Sequence, residues 1–311
     1  MTGGVKKIFM TGGTGFFGKS ILSMLARGFL PGCEFTILSR DPESFRRRHP
    51  KLASSGQVSF VAGDVRDFRF PAGRFDRIIH AGNPAAAMPP GAMRDVILKG
   101  TARVLEFAHL CGAEKLMFVS SGAVYGVQPP ELENIPETFP CAPVTEYGIA
   151  KLEAETMCRG SGIYTLLPRC FAFTGPYLAR DIHFAIGNFI RDALAGEPIV
   201  IRGDGTPFRS YLYADDLVEW LFALLERGKN GVPYNVGSGE GISISALAET
   251  VKSVLNSDSP VVTEGVPDPG KKPTRYVPDI SRIVGELGVA VKIPLREAIR
   301  RSCPELEKRT L

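Results

Sequence analysis

The sequence predicts an α/β fold in which a doubly wound parallel sheet carries helices on both faces. Along the first 170 residues, short apolar runs alternate with segments of helical periodicity. The runs are nearly all apolar, which is typical of strands that are covered on both faces. Strand–helix alternation of this kind gives a parallel sheet, and a glycine-rich turn after the first run supports the same fold.

Five apolar runs are predicted to form the first strands of this sheet. In chain order they read KKIFMTGG, CEFTILSR, QVSFVAGD, RFDRIIHAG and KLMFVSS. Helical periodicity predicts amphipathic helices from about Gly15 to Arg27 and from about Met93 to Cys111. A further helix at Thr145–Arg159 contains the segment YGIAK.

The character of the sequence changes near Pro168. Proline and glycine become frequent, and HFAIGNFIRDALAGEP reads as an isolated amphipathic helix closed by Gly196 and Pro198. We therefore predict a first domain over residues 1–170 and a smaller second domain over residues 171–311. The chain is expected to return to the first domain around residues 209–240.

Composition excludes several classes of function. The 311 residues include 37 Lys and Arg against 33 Asp and Glu, a balance too even to indicate a nucleic-acid or membrane partner. No apolar run approaches the roughly 18 residues of a membrane span, and the first is too short for a signal sequence. Six cysteines without a C-x-x-C pair favour reduced thiols and predict no metal site. We expect a soluble, cytoplasmic protein.

The segment TGGTGFFG predicts a dinucleotide site. It places Gly12, Gly15 and Gly18 directly after a predicted strand and at the start of a helix, which is the context that a phosphate-binding turn requires. The glycines permit a tight turn and a close approach of a pyrophosphate to the backbone, and the helix N-terminus faces the anion. The alternative is an ordinary glycine-rich strand–helix turn.

The end of the second strand favours NADP over NAD. An acidic residue there would bind the ribose 2′-hydroxyl of NAD, whereas an arginine accommodates a 2′-phosphate. This chain has Ser39 and Arg40, with Asp41 one position too late. Arg40 can alternatively stack on the adenine. Asp64, in GDVRD, is placed to accept the adenine amino group.

A serine, a tyrosine and a lysine suggest proton transfer coupled to hydride transfer. Tyr147 and Lys151 are four residues apart and lie on one face of a helix. A tyrosine is a poor base at its usual pKa of about 10, and a neighbouring ammonium group favours the phenolate. The phenolate can take a proton from an alcohol while hydride leaves for a nicotinamide. Ser121, in SSGAVYG, can hydrogen-bond the same oxygen.

The chain resembles the extended short-chain dehydrogenase/reductases of the nucleotide-sugar epimerase/dehydratase family. The matching motifs are TGGTGFFG, GDVRD, HAG, SSGAVYG, YGIAK, RCFAFTGP, GDGTPFRSYLYADD, YNVGSG and YVPDIS, in family order. The resemblance implies a Rossmann fold and an NAD(P)-dependent enzyme. It further implies oxidation or reduction, usually at C4, of a nucleoside-diphosphate sugar.

The resemblance also implies roles for individual residues. The implied catalytic residues are Ser121, Tyr147 and Lys151. The implied cofactor-binding residues are Gly12, Thr14, Gly15, Phe16, Phe17, Gly18, Ser39, Arg40, Asp64, Val65, Ala81, Tyr147 and Lys151. The implied substrate-binding residues are Ser121, Gly122, Asn188, Arg202, Arg209 and Arg275. Arg209 matches an arginine that meets the substrate diphosphate in relatives, and Arg202 stands where an aromatic side chain often packs on the base.

Departures from the family pattern narrow the reaction. In the family's 4,6-dehydratases an Asp-Glu pair follows the hydroxyl residue, and the related decarboxylases use a glutamate there. This chain has Gly122 and Ala123 at those positions. Dehydration needs an acid and a base besides the tyrosine. What remains is reversible oxidation, and hence epimerisation, or one-way reduction of a ketosugar. The overall motif pattern of the family favours the first, so we expect a C4 epimerase that acts through a transient keto intermediate. The alternative is an NADPH-dependent 4-ketoreductase, and a 4,6-dehydratase or a non-catalytic NAD(P)-sensing protein is less favoured.

A homodimer is also predicted. In the family, the helices that correspond to Met93–Cys111 and Thr145–Arg159 form a four-helix seam between two copies. Four apolar positions of the first helix fit such a seam, and they fit equally well a face turned inward onto the sheet: Val104, Leu105, Phe107 and Ala108.

Overall fold

The computed structural model describes residues 5–82, 88–89, 91–182 and 184–307. The chain forms two compact units. The first contains the residues up to Gly126 together with Pro140–Arg169 and Trp220–Tyr234. The second contains Val127–Phe139, Cys170–Glu219 and the residues from Asn235 onward. His183 lies outside the described residues.

The secondary structure alternates strands and helices through most of the chain. The strands are β1 (Lys6–Thr11), β2 (Cys33–Ser39), β3 (Val58–Ala62), β4 (Arg77–His80), β5 (Lys115–Phe118), β6 (Ser120–Ser121), β7 (Tyr164–Cys170), β8 (Phe173–Thr174), β9 (Ile199–Ile201), β10 (Phe208–Arg209), β11 (Leu212–Tyr213), β12 (Pro233–Val236), β13 (Ile242–Ser243), β14 (Val261–Thr263) and β15 (Arg275–Tyr276). The helices are α1 (Phe16–Ala26), α2 (Pro42–Arg48), α3 (Pro50–Ala53), α4 (Ala92–Leu110), α5 (Glu146–Arg159), α6 (Ala185–Ala195), α7 (Ala214–Arg227), α8 (Ile244–Val254), α9 (Ser281–Leu287), α10 (Leu295–Arg301) and α11 (Pro304–Glu307). A short 3-10 helix covers Gly122–Tyr125.

The main sheet confirms the predicted doubly wound topology. Its strand order is β3-β2-β1-β4-β5-β7-β12, and β6 pairs with β7 at the side. The pairs β2–β3, β1–β2, β1–β4, β4–β5 and β5–β7 are all parallel. The strand order reverses between β1 and β4, where Thr11 is in register with His80. Ligands of such sheets bind outside the carboxyl ends of the strands at this reversal.

The apolar face of α4 points inward onto the core of the first unit. Val104, Leu105, Phe107 and Ala108 are buried in one cluster with residues of the sheet and of α5. Phe107 packs edge-on against Phe9 of β1, with 4.8 Å between ring centroids. These four side chains therefore pack inside a single copy of the protein. An interface between two copies would have to use other side chains.

The second unit combines small sheets with several helices, among them α6, α8 and α10. Its sheets have the strand orders β13-β10-β15, β8–β11 and β9–β14. A separate core includes Ile186 and Phe189 of α6, Leu247 and Val251 of α8, and Ile299 of α10. Helix α6 ends at Ala195, and the next residue is a left-handed glycine, as its sequence predicts.

The six cysteines are free thiols, as expected from their spacing. Within the described ranges, no helix combines the length and the apolar character that a membrane crossing requires.

A close contact at Gly12 leads to the first prediction. Gly12 has a φ of +74°, and an added Cβ would lie 2.4 Å from the backbone oxygen of Ala81. Gly28 has a similar φ of +80°, but nothing lies within 4 Å of its Cβ position. We expect Gly28→Ala to cost about 1–2 kcal/mol of folding free energy from backbone strain alone. Gly12→Ala should cost about 1–3 kcal/mol more because backbone atoms must move.

Thermal unfolding of the two variants, without added cofactor, measures this difference. Gly28→Ala is the matched control because it shares the strained backbone and lacks the contact. Equal decreases in Tm would show that β1 does not approach Ala81 as closely as the structure indicates.

Candidate active site

The turn between β1 and α1 has the geometry of a phosphate-binding turn. The amide of Gly15 donates to the carbonyl of Gly12 at 3.0 Å and closes the turn. Helix α1 begins at Phe16, with no side chain capping its N-terminus and no acidic residue in its first turn. An added Cβ at Gly15 would meet only the Gly12 oxygen, at 3.4 Å. The backbone is thus open to a ligand beside the positive end of a helix, and this arrangement fits a dinucleotide pyrophosphate.

A buried histidine supports this turn. His80, at the end of β4, has Nδ1 2.7 Å from Thr11 Oγ1 and Nε2 3.2 Å from Thr101 Oγ1. Thr11 Oγ1 also accepts from the amide of Gly82 at 3.1 Å. Burial, and to a lesser extent the charge of Lys151, lowers the pKa of His80 to about 3. His80 is therefore neutral at physiological pH and links the ends of β1 and β4 to α4.

Asp41, the acidic residue after β2, is engaged in hydrogen bonds within the fold. Asp41 accepts a hydrogen bond from the amide of Ser44 at 2.9 Å and caps helix α2, whose first residue is a proline. Its own amide donates to Ser39 Oγ at 3.2 Å. Arg40 is exposed, and it makes no hydrogen bond or ion pair with any other residue in the described part of the chain. The exposed charge at the end of β2 is therefore the cation of Arg40, and it helps to lower the pKa of Asp64.

Asp64 is held by a neighbouring arginine. Arg66 Nε donates to Asp64 Oδ1 at 2.8 Å, and its backbone amide donates to the same oxygen at 3.0 Å. These hydrogen bonds, the one from the side chain above all, keep the pKa of Asp64 below its usual range. The following residue, Val65, packs against the main core and lies 2.9 Å from the position of a Cβ on Gly100.

Lys151 and Tyr147 share one face of α5. Lys151 is 1% exposed, and its ammonium group donates to the carbonyl of Val119 at 2.9 Å. The ammonium nitrogen lies 4.7 Å from the ring centroid of Phe118 and 5.7 Å from that of Tyr147. The structure thus brings a buried cation next to the tyrosine ring, as the four-residue spacing predicts.

Ser121 is carried by β6 close to the start of the same helix. Its hydroxyl accepts from the amide of Ala123 at 3.2 Å and caps the 3-10 helix Gly122–Tyr125. An added Cβ on Gly148, the residue after Tyr147, would lie only 2.5 Å from the carbonyl oxygen of Ala123. This close approach holds the tyrosine's helical turn against the segment that follows Ser121. Gly122 and Ala123 add no ionisable group to this segment.

A buried carboxylate lies behind these residues, and the sequence analysis did not identify it. Glu155, one turn after Lys151, is fully buried and forms an ion pair with Arg169 of β7. It also accepts from Ser120, the residue before Ser121. Its position four residues after Lys151 is a local signal, but Arg169 is fourteen residues away and only the fold brings it close.

The second unit contains a cavity of about 610 Å³ with an arginine-rich lining. The lining includes Asn188, Arg202 and Arg209, three of the residues predicted to bind substrate, and it also includes Asp181 and Arg191. Arg191 is paired with Asp192, whereas Arg202 and Arg209 make no ion pair with described residues. Because Arg202 and Arg209 outnumber the single carboxylate of the lining, Asp181, the cavity suits an anionic ligand.

Arg275 is not among the residues that line this cavity. Its Nε donates to the carbonyl of Glu133 at 3.0 Å, and its guanidinium lies 4.5 Å from the ring centroid of Phe208. Its role in substrate binding stays a prediction.

Comparison with known proteins identifies the family of this chain. The sequence profile of the NAD dependent epimerase/dehydratase family matches residues 8–237, which include the glycine turn and the Ser, Tyr and Lys residues. The chain belongs to this family. The proteins of this family are enzymes that depend on NAD(P) and process nucleotide-sugars. The open turn at Gly15 and the uncapped α1 are the features of this family member that fit the dinucleotide.

Individual relatives cover nearly the whole chain. UDP-glucuronic acid decarboxylase 1 of Arabidopsis thaliana is 28% identical over 98% of this chain and 71% of its own length. Among solved structures, the UDP-glucose 4-epimerase of Thermotoga maritima with UDP-glucose superposes with a TM-score of 0.83 at 23% identity. That match covers 98% of this chain and 100% of the other.

A dehydratase shares the fold equally well. The dTDP-glucose 4,6-dehydratase of Bacillus anthracis, in complex with NAD, superposes with a TM-score of 0.82 at 19% identity. It covers 97% of each chain. Because epimerases and dehydratases match equally well, the fold does not select among the reactions of this family.

Proposed function

We propose that this family member is an epimerase that acts at C4 of a UDP-sugar through a transient keto intermediate. The observation that carries the proposal is the set of reactive groups that the end of β6 and the first turns of α5 provide. Ser121, Tyr147 and Lys151 suffice for proton transfer at one sugar oxygen, and Gly122 and Ala123 supply no further acid or base. Reversible oxidation at a single carbon needs no more than this.

The proposed chemistry assigns each group one task. Tyr147, as the phenolate, takes the proton from O4 of the sugar, and the nearby Lys151 ammonium group stabilises that phenolate. Ser121 donates a hydrogen bond to the same oxygen and orients it. NAD(P), held by the glycine turn, would supply the acceptor and donor of the C4 hydride, and delivery to the opposite face would give the C4 epimer. Tyr147 would then return the proton to O4.

Two of the carboxylates that could add dehydration chemistry, Glu146 and Glu131, are engaged by other groups of the protein. Glu146, next to Tyr147, accepts from the amide of Gly91 at 2.8 Å. Glu131 pairs with Lys272 at 2.9 Å. Elimination of water needs both an acid for the C6 hydroxyl and a base for the C5 proton, and decarboxylation needs an acid that returns a proton to C5. The commitments of Glu146 and Glu131 support epimerisation over both alternatives.

The cavity of the second unit supports a nucleotide ligand. Arg209 and Arg202 give the lining an excess of positive charge over Asp181, and Asn188 adds an amide that can hydrogen-bond a base or a ribose. The names of similar proteins specify UDP-glucuronic acid and UDP-glucose. We propose that Arg209 binds the diphosphate of a UDP-sugar and that the flat guanidinium of Arg202 stacks on the base.

A second candidate function is an NADPH-dependent 4-ketoreductase. The specific observation in its favour is the end of β2, where Asp41 caps α2 and the exposed Arg40 forms no hydrogen bond or ion pair with another described residue. A carboxylate engaged by a helix N-terminus is a poor partner for a ribose 2′-hydroxyl, whereas Arg40 suits a 2′-phosphate. We propose NADP as the preferred cofactor, and a reductase is the usual consumer of NADPH.

We also propose a cytoplasmic homodimer. Free cysteines support a cytoplasmic location. The homodimer that the resemblance implies stays a proposal, and its surface would use exposed side chains such as Ile149 of α5 rather than the buried face of α4.

Incubation with a panel of substrates tests the proposed reaction. The panel contains UDP-glucose, UDP-galactose, UDP-glucuronic acid, dTDP-glucose and a 4-keto-6-deoxy nucleotide-sugar, each with and without NADPH. We expect a C4 epimer of one UDP-sugar without net consumption of NADPH, measured by chromatography and NMR. Consumption of NADPH only with the 4-keto sugar would instead identify the ketoreductase.

The dTDP-glucose arm of the panel is the control for reaction type. No 4-keto-6-deoxy product should form, because general acid–base help worth roughly a hundred- to ten-thousandfold for each group is missing. A 4-keto-6-deoxy product, or release of CO₂ from UDP-glucuronic acid, would place the chain in another branch of its family.

Tyr147→Phe tests the proton transfer. The change removes only the phenolic oxygen, so the fold and the affinity for the cofactor should stay nearly intact. Turnover should fall by roughly a hundred- to ten-thousandfold because the general base is lost. Ile149→Val, two residues away on the exposed side of α5, is the control and should retain full activity. A fully active Tyr147→Phe variant would disprove the mechanism.

Arg40→Ala tests the cofactor preference. A charge-assisted hydrogen bond to a 2′-phosphate is worth about 1.5–3 kcal/mol, so Kd for NADP should rise about ten- to a hundredfold. Kd for NAD, measured by the same calorimetric titration, should change little. Equal weakening for both cofactors would indicate that Arg40 stacks on the adenine.

A further inference from the structure

The buried carboxylate of Glu155 makes four hydrogen bonds within the first unit. Oε1 accepts from Ser120 Oγ at 2.6 Å and from Arg169 Nε at 3.0 Å. Oε2 accepts from the guanidinium nitrogens of Arg169, at 2.8 Å, and of Arg159, at 3.0 Å. The bidentate pair with Arg169 fixes the plane of the carboxylate. Each carboxylate oxygen therefore accepts two hydrogen bonds. Because the carboxylate is held in one orientation, the Ser120 hydroxyl that donates to it has little freedom to move.

Ser120 connects this carboxylate to the reacting residues. It is 2% exposed and directly precedes Ser121 in β6. Adjacent side chains of an extended segment point to opposite faces, so the hydrogen bond from Ser120 holds the backbone from the side away from the Ser121 hydroxyl. A shift of Ser120 would move the backbone of Ser121 with it.

The same network reaches the other parts of the site. Glu155 is on α5, one turn after Lys151 and two turns after Tyr147. The guanidinium of Arg169 lies 4.8 Å from the ring centroid of Tyr125, which ends the 3-10 helix that Ser121 caps. One carboxylate thus links the helix that carries the tyrosine, the strand that carries the serine and the turn that follows it.

Stability alone is a poor explanation for this arrangement. Removing a carboxylate and a guanidinium from water costs about as much free energy as their attraction returns, and apolar residues of similar volume are often as stable. The hydrogen-bond network of Glu155 lies next to the residues that we assign to proton transfer. A geometric role explains this location, whereas a purely stabilising role would suit any part of the core.

We propose that Glu155, acting through Ser120, is the positioning residue that sets Ser121 relative to Tyr147. The proposal rests on the proposed function, because it concerns the serine hydroxyl that binds O4. In this role Glu155 touches neither substrate nor cofactor, and it determines the position of the Ser121 hydroxyl.

A double-mutant cycle tests the proposal. Ser120→Ala removes one hydroxyl and leaves the ion pair of Glu155 intact, so the protein should fold. We expect kcat to fall roughly ten- to a hundredfold, as misplacement of a reacting group does, with KM changed less than about twofold. In a Ser121→Ala background the same change should reduce kcat less than about twofold, because the group it positions is gone.

Ser20→Ala is the matched control. Ser20 is also 2% exposed, and its hydroxyl donates to the carbonyl of Phe16 within α1 at 2.8 Å. It should leave kcat unchanged. Losses from Ser120→Ala that are equal in the wild-type and Ser121→Ala backgrounds would show a general structural effect and overturn the proposal. An unchanged kcat in Ser120→Ala would overturn it as well.

A crystal structure of Ser120→Ala separates this proposal from the proposed function. We expect the Ser121 backbone to move and its hydroxyl to lose the 3.2 Å contact with the amide of Ala123. If the wild-type protein turned over no nucleotide-sugar, the proposed function would fail, and this structure would still report on positioning. An unchanged Ser121 in the variant would refute the positioning role by itself.

Discussion

An ammonium group that is removed from water needs carbonyl oxygens or aromatic faces as partners, and Lys151 finds both at the end of β5. Its nitrogen meets the carbonyl of Val119 and the face of Phe118. These contacts require α5 to lie close to the sheet, and the fully buried Ala150 and Ala154 give it the space to do so. Tyr147, one turn earlier on the same face, is then brought to the carboxyl end of the strands. The position of the proposed base thus follows from the burial of a cation.

Two buried charges on one helix also determine its position along the sheet. Lys151 is satisfied by a backbone oxygen at the end of β5, and Glu155, one turn later, is satisfied by side chains of β6 and β7. If α5 slid by one turn, both charges would lose these partners while they remained buried, at a cost of several kcal/mol for each. Apolar contacts alone would resist such a slip far less, because neighbouring turns offer similar surfaces.

The features that the sequence predicted correctly are those with a local signature. The strand–turn–helix with Gly12 and the spacing of Tyr147 and Lys151 both fall within a few residues, and the apolar runs define parallel strands without knowledge of their partners. Asp41 also has a local signature, which predicts a helix N-cap. An aspartate followed by proline is a typical helix N-cap, which explains why its carboxylate is occupied.

Other features depend on contacts that no local pattern records. Glu155 and Arg169 lie on different elements, and the amphipathic pattern of α4 shows that Val104 faces an apolar surface without showing which one. In the second unit, strands of two or three residues are too short for a period to be read. The arginine-lined cavity draws its residues from several separate segments, so only the resemblance to a family indicated Arg202 and Arg209 together.

The absence of carboxylates at positions 122 and 123 has an electrostatic consequence for the proposed base. A carboxylate in this segment would stand near the start of α5, because Gly148 is pressed against the carbonyl of Ala123. Its negative charge would oppose the formation of a phenolate at Tyr147, since like charges disfavour each other in a poorly solvated site. In an enzyme that eliminates water, this repulsion is offset because the reaction needs the additional acid and base. An enzyme that only moves one proton and one hydride gains from its absence, and Gly122 and Ala123 leave the charge of Lys151 unopposed from this side.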